Sequence, residues 1–154
     1  MRIVALSDTH NRHRDVLVPH GDIVIFAGDA CVNGTPKEML AFVQWFSALP
    51  HKHRIFIGGN HDGSFYTNAG IDVVSLICAE REDLVYLGSA GAHLDLPGGM
   101  RAYLHHGAKG QAYAKSYKLQ KAVEGFAPEA KPHPYICGHY HVSVVLPDYR
   151  NVYA

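Results

Sequence analysis

Five short segments carry side chains able to bind a metal ion: Asp8-Thr9-His10, Gly28-Asp29, Gly59-Asn60-His61-Asp62, His105-His106-Gly107 and Gly138-His139-Tyr140-His141. Together they offer three carboxylates, one amide and at least five imidazoles, enough for two divalent cations and a catalytic acid. Each segment follows an apolar run, which places it at a strand-to-loop junction, where open α/β sheets gather their binding residues.

Asp8 and His10 are two residues apart, so in an extended segment they point the same way and can grip one cation. The same residues also suit a polar turn or helix cap. Asp29 follows five apolar residues and Gly28, and a carboxylate there can bridge two metals, as an imidazole cannot; a turn aspartate is the plainer reading. Asn60 offers a neutral carbonyl oxygen suited to harder cations. Next to it, His61 is free to act as an acid or as a cation for a phosphate, with Asp62 placed to hold its tautomer. His139 and His141 repeat the two-residue spacing with imidazoles. In the remaining pair His106, beside the glycine, is the expected ligand, and His105 points to the opposite face if the strand continues.

The elements that must position these groups alternate in the first half of the chain. Apolar runs at Ile3 to Leu6, Ile23 to Ala27 and Ile55 to Ile57 read as buried parallel strands. Thr35-Pro36-Lys37-Glu38 is a capping box with proline at the first helical position, and Met39, Leu40, Phe42, Val43 and Phe46 follow at helical spacing up to Pro50. Ala69 to Arg81 is a second expected helix. The rhythm then changes to strands at Val85 to Leu87, Ala92 to Leu96 and Met100 to Leu104, the last two joined by a turn at Pro97-Gly98-Gly99. A helix over Ala112 to Phe126 and strands at Tyr135 to Cys137 and Val142 to Leu146 complete the pattern. It predicts two sheets packed face to face with helices outside, in one domain over residues 1–154.

Composition excludes several classes. Lys+Arg and Asp+Glu are both 14, so there is no electrostatic footprint for duplex DNA or an anionic membrane. Three widely spaced cysteines, no leader and no long apolar stretch fit a reducing cytoplasm. Twelve histidines are well above ordinary usage; most of those outside the motifs, His13, His20, His51, His53, His93 and His133, read as surface or loop residues.

The ordered series Asp-x-His, Gly-Asp, Gly-Asn-His-Asp, His and Gly-His-x-His resembles the signature of the calcineurin-like metallophosphoesterases, and it spans residues 8 to 141. Within that family the chain is most similar to a small, cap-less branch that includes bacterial cyclic-nucleotide phosphodiesterases. The resemblance implies a four-layer α/β/β/α sandwich of two mixed sheets. It also implies a first metal held by Asp8, His10 and His141, a second held by Asn60, His106 and His139, and Asp29 bridging both. His61 would be the proton donor to the leaving group, supported by Asp62.

The expected reaction is therefore hydrolysis of phosphodiesters, small nucleotides or related esters, with two divalent ions as cofactors. Mn²⁺ is favoured, and Fe, Zn²⁺, Ni²⁺ and Co²⁺ also suit N/O donors without thiolates. Arg12 and His13 are placed to touch a substrate phosphate, and Lys109, Tyr113, Lys115, Tyr117, Lys118 and Lys121 form either a nucleic-acid strip or, the favoured reading, a solvated helix face. A nuclease and a non-catalytic scaffold are the alternatives. The chain stops soon after the last motif, which leaves room for completion by a partner subunit in a homodimer.

Overall fold

A computed structural model of the chain describes residues 1–88, 91–97, 99–107 and 117–141. Four strands, β1 (Ile3–Leu6), β2 (Ile23–Ala27), β3 (His53–Ile57) and β4 (Leu84–Tyr86), form one parallel sheet in sequence order. Three more, β5 (Ala92–Leu96), β6 (Met100–His106) and β7 (Tyr135–Gly138), form a second sheet. There β5 and β6 pair antiparallel, with Leu96 opposite Met100 across the turn, while β6 and β7 run parallel. That parallel pair needs a crossover, and α3 (Tyr117–Glu124) lies between the two strands in sequence.

Side-chain alternation along the strands sorts the apolar residues into layers. Val24 and Phe26 of β2 pack with Phe56 against Met39, Phe42, Val43 and Phe46 of α1 (Pro36–Ser47) and Val74 of α2 (Asn68–Ala79). Ile23, Ile25 and Ala27 face the other way and meet Ile55, Ile57 and, from the second sheet, Leu96, Ala102 and Leu104. Tyr103 and Tyr135 turn outward again, onto Val123 of α3 and Phe126. The order helix, sheet, sheet, helix is the α/β/β/α sandwich expected above. No described helix is long and apolar enough to cross a membrane.

The helical ends follow local chemistry. Thr35 caps α1, accepting from the Glu38 N–H at 3.3 Å, while Glu38 accepts from the Thr35 N–H at 2.8 Å. The expected boundaries shift modestly: β3 starts earlier, β6 runs on to His106, and α2 begins at Asn68 behind the cap Thr67. The predicted strand Val142 to Leu146 and the first part of the helix predicted from Ala112 lie outside the described residues.

Two of the histidines read as surface residues are buried. His13, 3% exposed, sits in a 3-10 turn with its ring 5.0 Å from Trp45 and 5.9 Å from Phe42. His51, also 3% exposed, bonds the Pro19 carbonyl through Nε2 at 3.0 Å. Neither was legible because an imidazole has enough apolar ring to fill a core once one nitrogen is satisfied or sits within an aromatic contact. His20, His53, His93 and His133 are exposed, as read.

The Thr35 N–H, with help from Asn11 and the Thr35 hydroxyl, holds the Glu38 carboxyl down at about 2, against an ordinary 4.5. A depressed folded-state value means that its contribution is complete above about 4.5 and is lost as pH falls towards 2. Glu38→Gln should therefore cost about 1 kcal/mol near neutrality, the usual worth of a helix cap. Urea midpoints of the two proteins should converge below pH 3; a gap that persisted unchanged to pH 2 would remove the charge from the argument.

Candidate metal centre

The carboxyl ends of β1, β2, β3, β6 and β7 converge, and the five motifs are the loops that leave them. Close approach of the two sheets depends on two glycines. At Gly28 (φ +89°) a Cβ would lie 2.5 Å from His106 Nδ1 and 2.9 Å from Gly59 Cα. At Gly138 it would collide with the Ala27 carbonyl and lie 2.9 Å from Ser7 Cβ. Without those side chains the end of β7 and the end of β6 can sit directly over the end of β2.

Three groups of possible ligands result, each with its donor atoms within 4.8 Å of one another: Asp8, His10 and His141; His10, Asp29 and His61; and Asp29, His106 and His139. His10 Nε2 is 3.4 Å from His141 Nε2, and His141 Nε2 is 3.5 Å from Asp8 Oδ1. On the other side Asn60 Oδ1 lies 3.2 Å from His106 Nε2 and 3.0 Å from His139 Nδ1. Asp29 Oδ2 is 3.1 Å from His106 Nε2, and its Oδ1 accepts the His61 N–H at 2.8 Å. Burial alone would raise the Asp29 carboxyl, but the neighbouring His106 ring and the hydrogen bond from the His61 N–H keep it below the usual carboxylate range, so it is an anion at neutral pH.

The two-residue spacing works differently from the sequence reading. Strand β1 ends at Leu6, and Asp8 (φ 55°) and His10 (φ 42°) are both left-handed, as are Asp29 (φ 60°), His139 (φ 80°) and His141 (φ 50°). Tight turns bring the pairs together, rather than strand alternation. Such conformations cost roughly 1–2 kcal/mol per non-glycine residue and persist where the surroundings over-determine them. Here the Asp8, His10 and Asn11 N–H groups bond the carbonyls of Gly28, Asp29 and Ala30 at 2.9, 3.1 and 2.7 Å, and the His139 N–H bonds both Asp8 oxygens at 3.0 and 2.9 Å.

Three imidazoles are oriented by main-chain carbonyls from one stretch. His106 Nδ1 donates to the Ala27 carbonyl at 2.7 Å, His10 Nδ1 to Cys31 at 3.0 Å and His61 Nδ1 to Val32 at 2.9 Å. A carbonyl only accepts, so Nδ1 of each ring carries a proton and the other nitrogen, Nε2, is turned away from that carbonyl. On His10 and His106 that leaves Nε2 as the nitrogen a metal would take.

Asp62 departs from its expected role. It is 1% exposed, and its Oδ2 accepts the N–H groups of Asp29 and Gly59 at 2.8 Å and of Ala30 at 3.3 Å, while Oδ1 accepts that of Cys31 at 2.8 Å. Burial pushes its carboxyl above the ordinary value, and the Gly59, Cys31 and Ala30 N–H groups pull it back. The orienting partner of His61 is the Val32 carbonyl, because the chain turns at Asp62 into a 3-10 segment (Gly63–Tyr66) and carries the carboxylate inward. Sequence reasoning missed the carbonyls of Ala27, Cys31 and Val32 altogether, since the peptide group is common to every residue and leaves no compositional signal.

The neighbours resolve as follows. His105 faces away from the cluster, into the outer layer, where the Tyr135 hydroxyl is 3.4 Å from its Nδ1 and the Tyr103 ring stacks at 6.0 Å. His13 is packed against α1 and offers nothing to a phosphate, whereas Arg12 is exposed and paired with Asp15 at 3.2 Å. Lys109, Tyr113 and Lys115 lie outside the described residues, as do the side chains of Tyr117 and Lys118; Lys121 pairs with Glu124 at 2.7 Å.

Fold and cluster together define a metal-binding α/β/β/α sandwich. The chain belongs to the calcineurin-like phosphoesterase superfamily, whose domain pattern matches residues 1–152, and the chemistry of that family is metal-dependent phosphoester hydrolysis. It is 36% identical over 103 residues to a probable rhamnogalacturonate lyase C of Emericella nidulans, covering 64% of this chain and 9% of that protein. It is 35% identical over 88 residues to metallophosphoesterase domain-containing protein 1 of Homo sapiens, covering 57% and 25% of the respective chains. A UPF0046 protein of Caenorhabditis elegans is 38% identical over 65 residues, 42% of this chain and 22% of its own. The matched part thus amounts to between 9% and 25% of the length of these relatives.

Asp62→Asn keeps the shape but turns an amide N–H₂ towards backbone donors. Losing those bonds should destabilise the protein by about 2–3 kcal/mol. Because the same stretch orients His10 and His106, affinity for a divalent metal ion should fall about 10- to 100-fold. Urea denaturation and metal titration read the two effects separately; unchanged metal affinity would leave Asp62 with a purely structural part.

Proposed function

We propose that the chain is a dinuclear-metal phosphodiesterase for small esters such as nucleotides. The observation that carries this reading is Asp29, an ionised, buried carboxylate that belongs to a ligand group with His10 and His61 and to another with His106 and His139. One carboxylate shared by two groups of donors suits two cations. The donor set fits them: Asp8, His10 and His141 for one ion, Asn60, His106 and His139 for the other, Asp29 for both, with His10 and His106 presenting Nε2 lone pairs.

Two divalent ions, with Mn²⁺ as the assay metal, supply positive charge to the phosphate oxygens and a water of lowered pKa. The protein's part is orientation and proton transfer. His61 has Nδ1 committed to the Val32 carbonyl, so a proton can leave the ring only from Nε2. That proton goes to the departing ester oxygen as its bond to phosphorus breaks. Asp62 holds the loop that carries Asp29 and the three orienting carbonyls, and acts as a positioning residue. The solvent-exposed Asn60, His61 and His141 leave the centre open, which suits a diester with substituents on both sides. Three free cysteines accord with a cytoplasmic setting.

Asp29→Ala should abolish both metal binding and hydrolysis, whereas His61→Ala should keep its metal and lose rate by about 10²- to 10⁴-fold. Metal analysis together with turnover of bis-p-nitrophenyl phosphate separates them; an Asp29 variant with full metal content and normal turnover would falsify the shared-ligand assignment.

Treatment with EDTA should eliminate hydrolysis, and added Mn²⁺ should restore it. Turnover that survives exhaustive chelation would rule out metal-dependent chemistry at this centre.

A further inference from the structure

Residue 107 is a glycine that its own backbone does not require. Its φ lies outside the left-handed region, so the main chain alone has no need of a missing Cβ. What forbids a side chain there is Tyr140. A Cβ on Gly107 would lie 2.7 Å from both Cζ and Oη of that ring and 3.0 Å from Cε2. The tip of the ring therefore rests directly on the Gly107 main chain. Strands β6 and β7 run parallel with His106 opposite Gly138, so Gly107 and the turn His139-Tyr140-His141 leave the sheet side by side. The Gly107 N–H also bonds the sulfur of Cys137 on β7, which fixes the surface on which the ring lies.

Tyr140 stands between two histidines in left-handed conformations, His139 (φ 80°) and His141 (φ 50°). Such a backbone persists only where its surroundings over-determine it. The start of the turn is held by the His139 N–H on the Asp8 carboxylate, at 3.0 and 2.9 Å. Its middle is held through the half-buried Tyr140, whose ring reaches back to the end of β6. The same ring meets the His139 imidazole edge to face, with centroids 5.4 Å apart at 82°, and His139 in turn meets His106 at 5.2 Å and 84°. One side chain thus touches the main chain beside His106 and the ring of His139, and a single peptide bond joins its residue to His141.

We infer that Tyr140, packed on Gly107, is a positioning residue that holds His139 and His141 in place for the two ions. It acts through those histidines and not on the ester. This rests on the two-ion reading of the centre, in which the turn contributes one imidazole to each ion. Packing of the ring carries the effect, so phenylalanine should serve at position 140 and alanine should not. The contact accounts for both residue types at once: a side chain long enough to cross from the turn to β6, and a residue without one where it lands.

The test titrates the metal-free full chain with Mn²⁺ and with Co²⁺, whose visible absorption reports the geometry of its donors. Each variant is first shown to be folded by far-UV circular dichroism. The wild type should take up two ions. Tyr140→Ala and Gly107→Ala should each weaken binding about 10-fold or more, as loss of the support behind metal ligands does, and should alter the Co²⁺ bands. Tyr140→Phe should keep the wild-type affinity and spectrum. Combining Gly107→Ala with Tyr140→Ala should cost no more than Tyr140→Ala alone, because the added methyl group then meets no ring. Losses that multiply in the double variant, a phenylalanine variant as weak as the alanine one, or affinities and spectra indifferent to both positions would overturn the inference and leave the two-ion reading standing. A wild type that binds one ion or none would overturn the two-ion reading and the inference with it. Should Gly107→Ala fail to fold, the contrast between Tyr140→Phe and Tyr140→Ala decides alone.

Discussion

A single buried carboxylate organises the centre. Asp62 gathers the N–H groups of Gly59, Asp29, Ala30 and Cys31, donors from two loops that leave adjacent parallel strands. These peptide groups lie beyond the last rung of the sheet, where the ladder no longer satisfies them, and burying them unpaired would be costly. One anion satisfies all four and ties the β2 loop to the β3 loop. With their N–H groups engaged on one side, the peptides of that stretch have their carbonyls free for other partners. Those partners are the N–H groups of Asp8, His10 and Asn11, on the carbonyls of Gly28, Asp29 and Ala30, while the flanking carbonyls of Ala27, Cys31 and Val32 take the imidazoles of His106, His10 and His61.

The strain in the surrounding turns follows from the same arrangement. Asp8, His10, Asn11 and Asp29 adopt left-handed conformations that side chains with a Cβ resist. They are held there because loop 8–11 continues the parallel pairing of β1 with β2 past the strand ends, N–H to carbonyl, onto residues 28–30. The ladder is thus extended through residues that cannot be extended themselves. Aspartate and asparagine tolerate this backbone better than most, which leaves the histidines at positions 10, 139 and 141 as the more costly members.

Much of this was legible beforehand, for identifiable reasons. Strand β2 announces itself because both faces are buried and its sequence is continuously apolar; Ile3 to Leu6 and Ile55 to Ile57 show the same apolar run in β1 and at the end of β3. The α1 cap is legible because Thr35 and Glu38 satisfy specific orphan donors. His106 was preferred to His105 because it lies beside Gly107, and β6 is long enough to include both and to turn His105 to the opposite face. What stayed hidden depended on contacts between distant segments. Asp62 next to His61 suggested a local pair, yet its partners are some 31 to 33 residues away, apart from Gly59. His13, close behind the first motif, looked like a substrate contact until the aromatic residues of α1 closed over it. The parallel pairing of β6 with β7 likewise depends on a crossover rather than on either strand's own sequence.

The carbonyls that aim the three imidazoles have a consequence for how such a centre can drift. Where a carboxylate aims a histidine, one codon change can delete it or retune it. Here the aiming groups belong to the main chain at Ala27, Cys31 and Val32, and no side-chain replacement at those positions removes them. Ala27 and Cys31 are buried and held by packing, but Val32 is 44% exposed, and there the side chain can change while the pointing of the ring is inherited. The three rings are also linked mechanically, for a displacement of that one stretch carries all of them together. Sequence variation can therefore reach the exposed side chain of Val32 without disturbing the aim of His61.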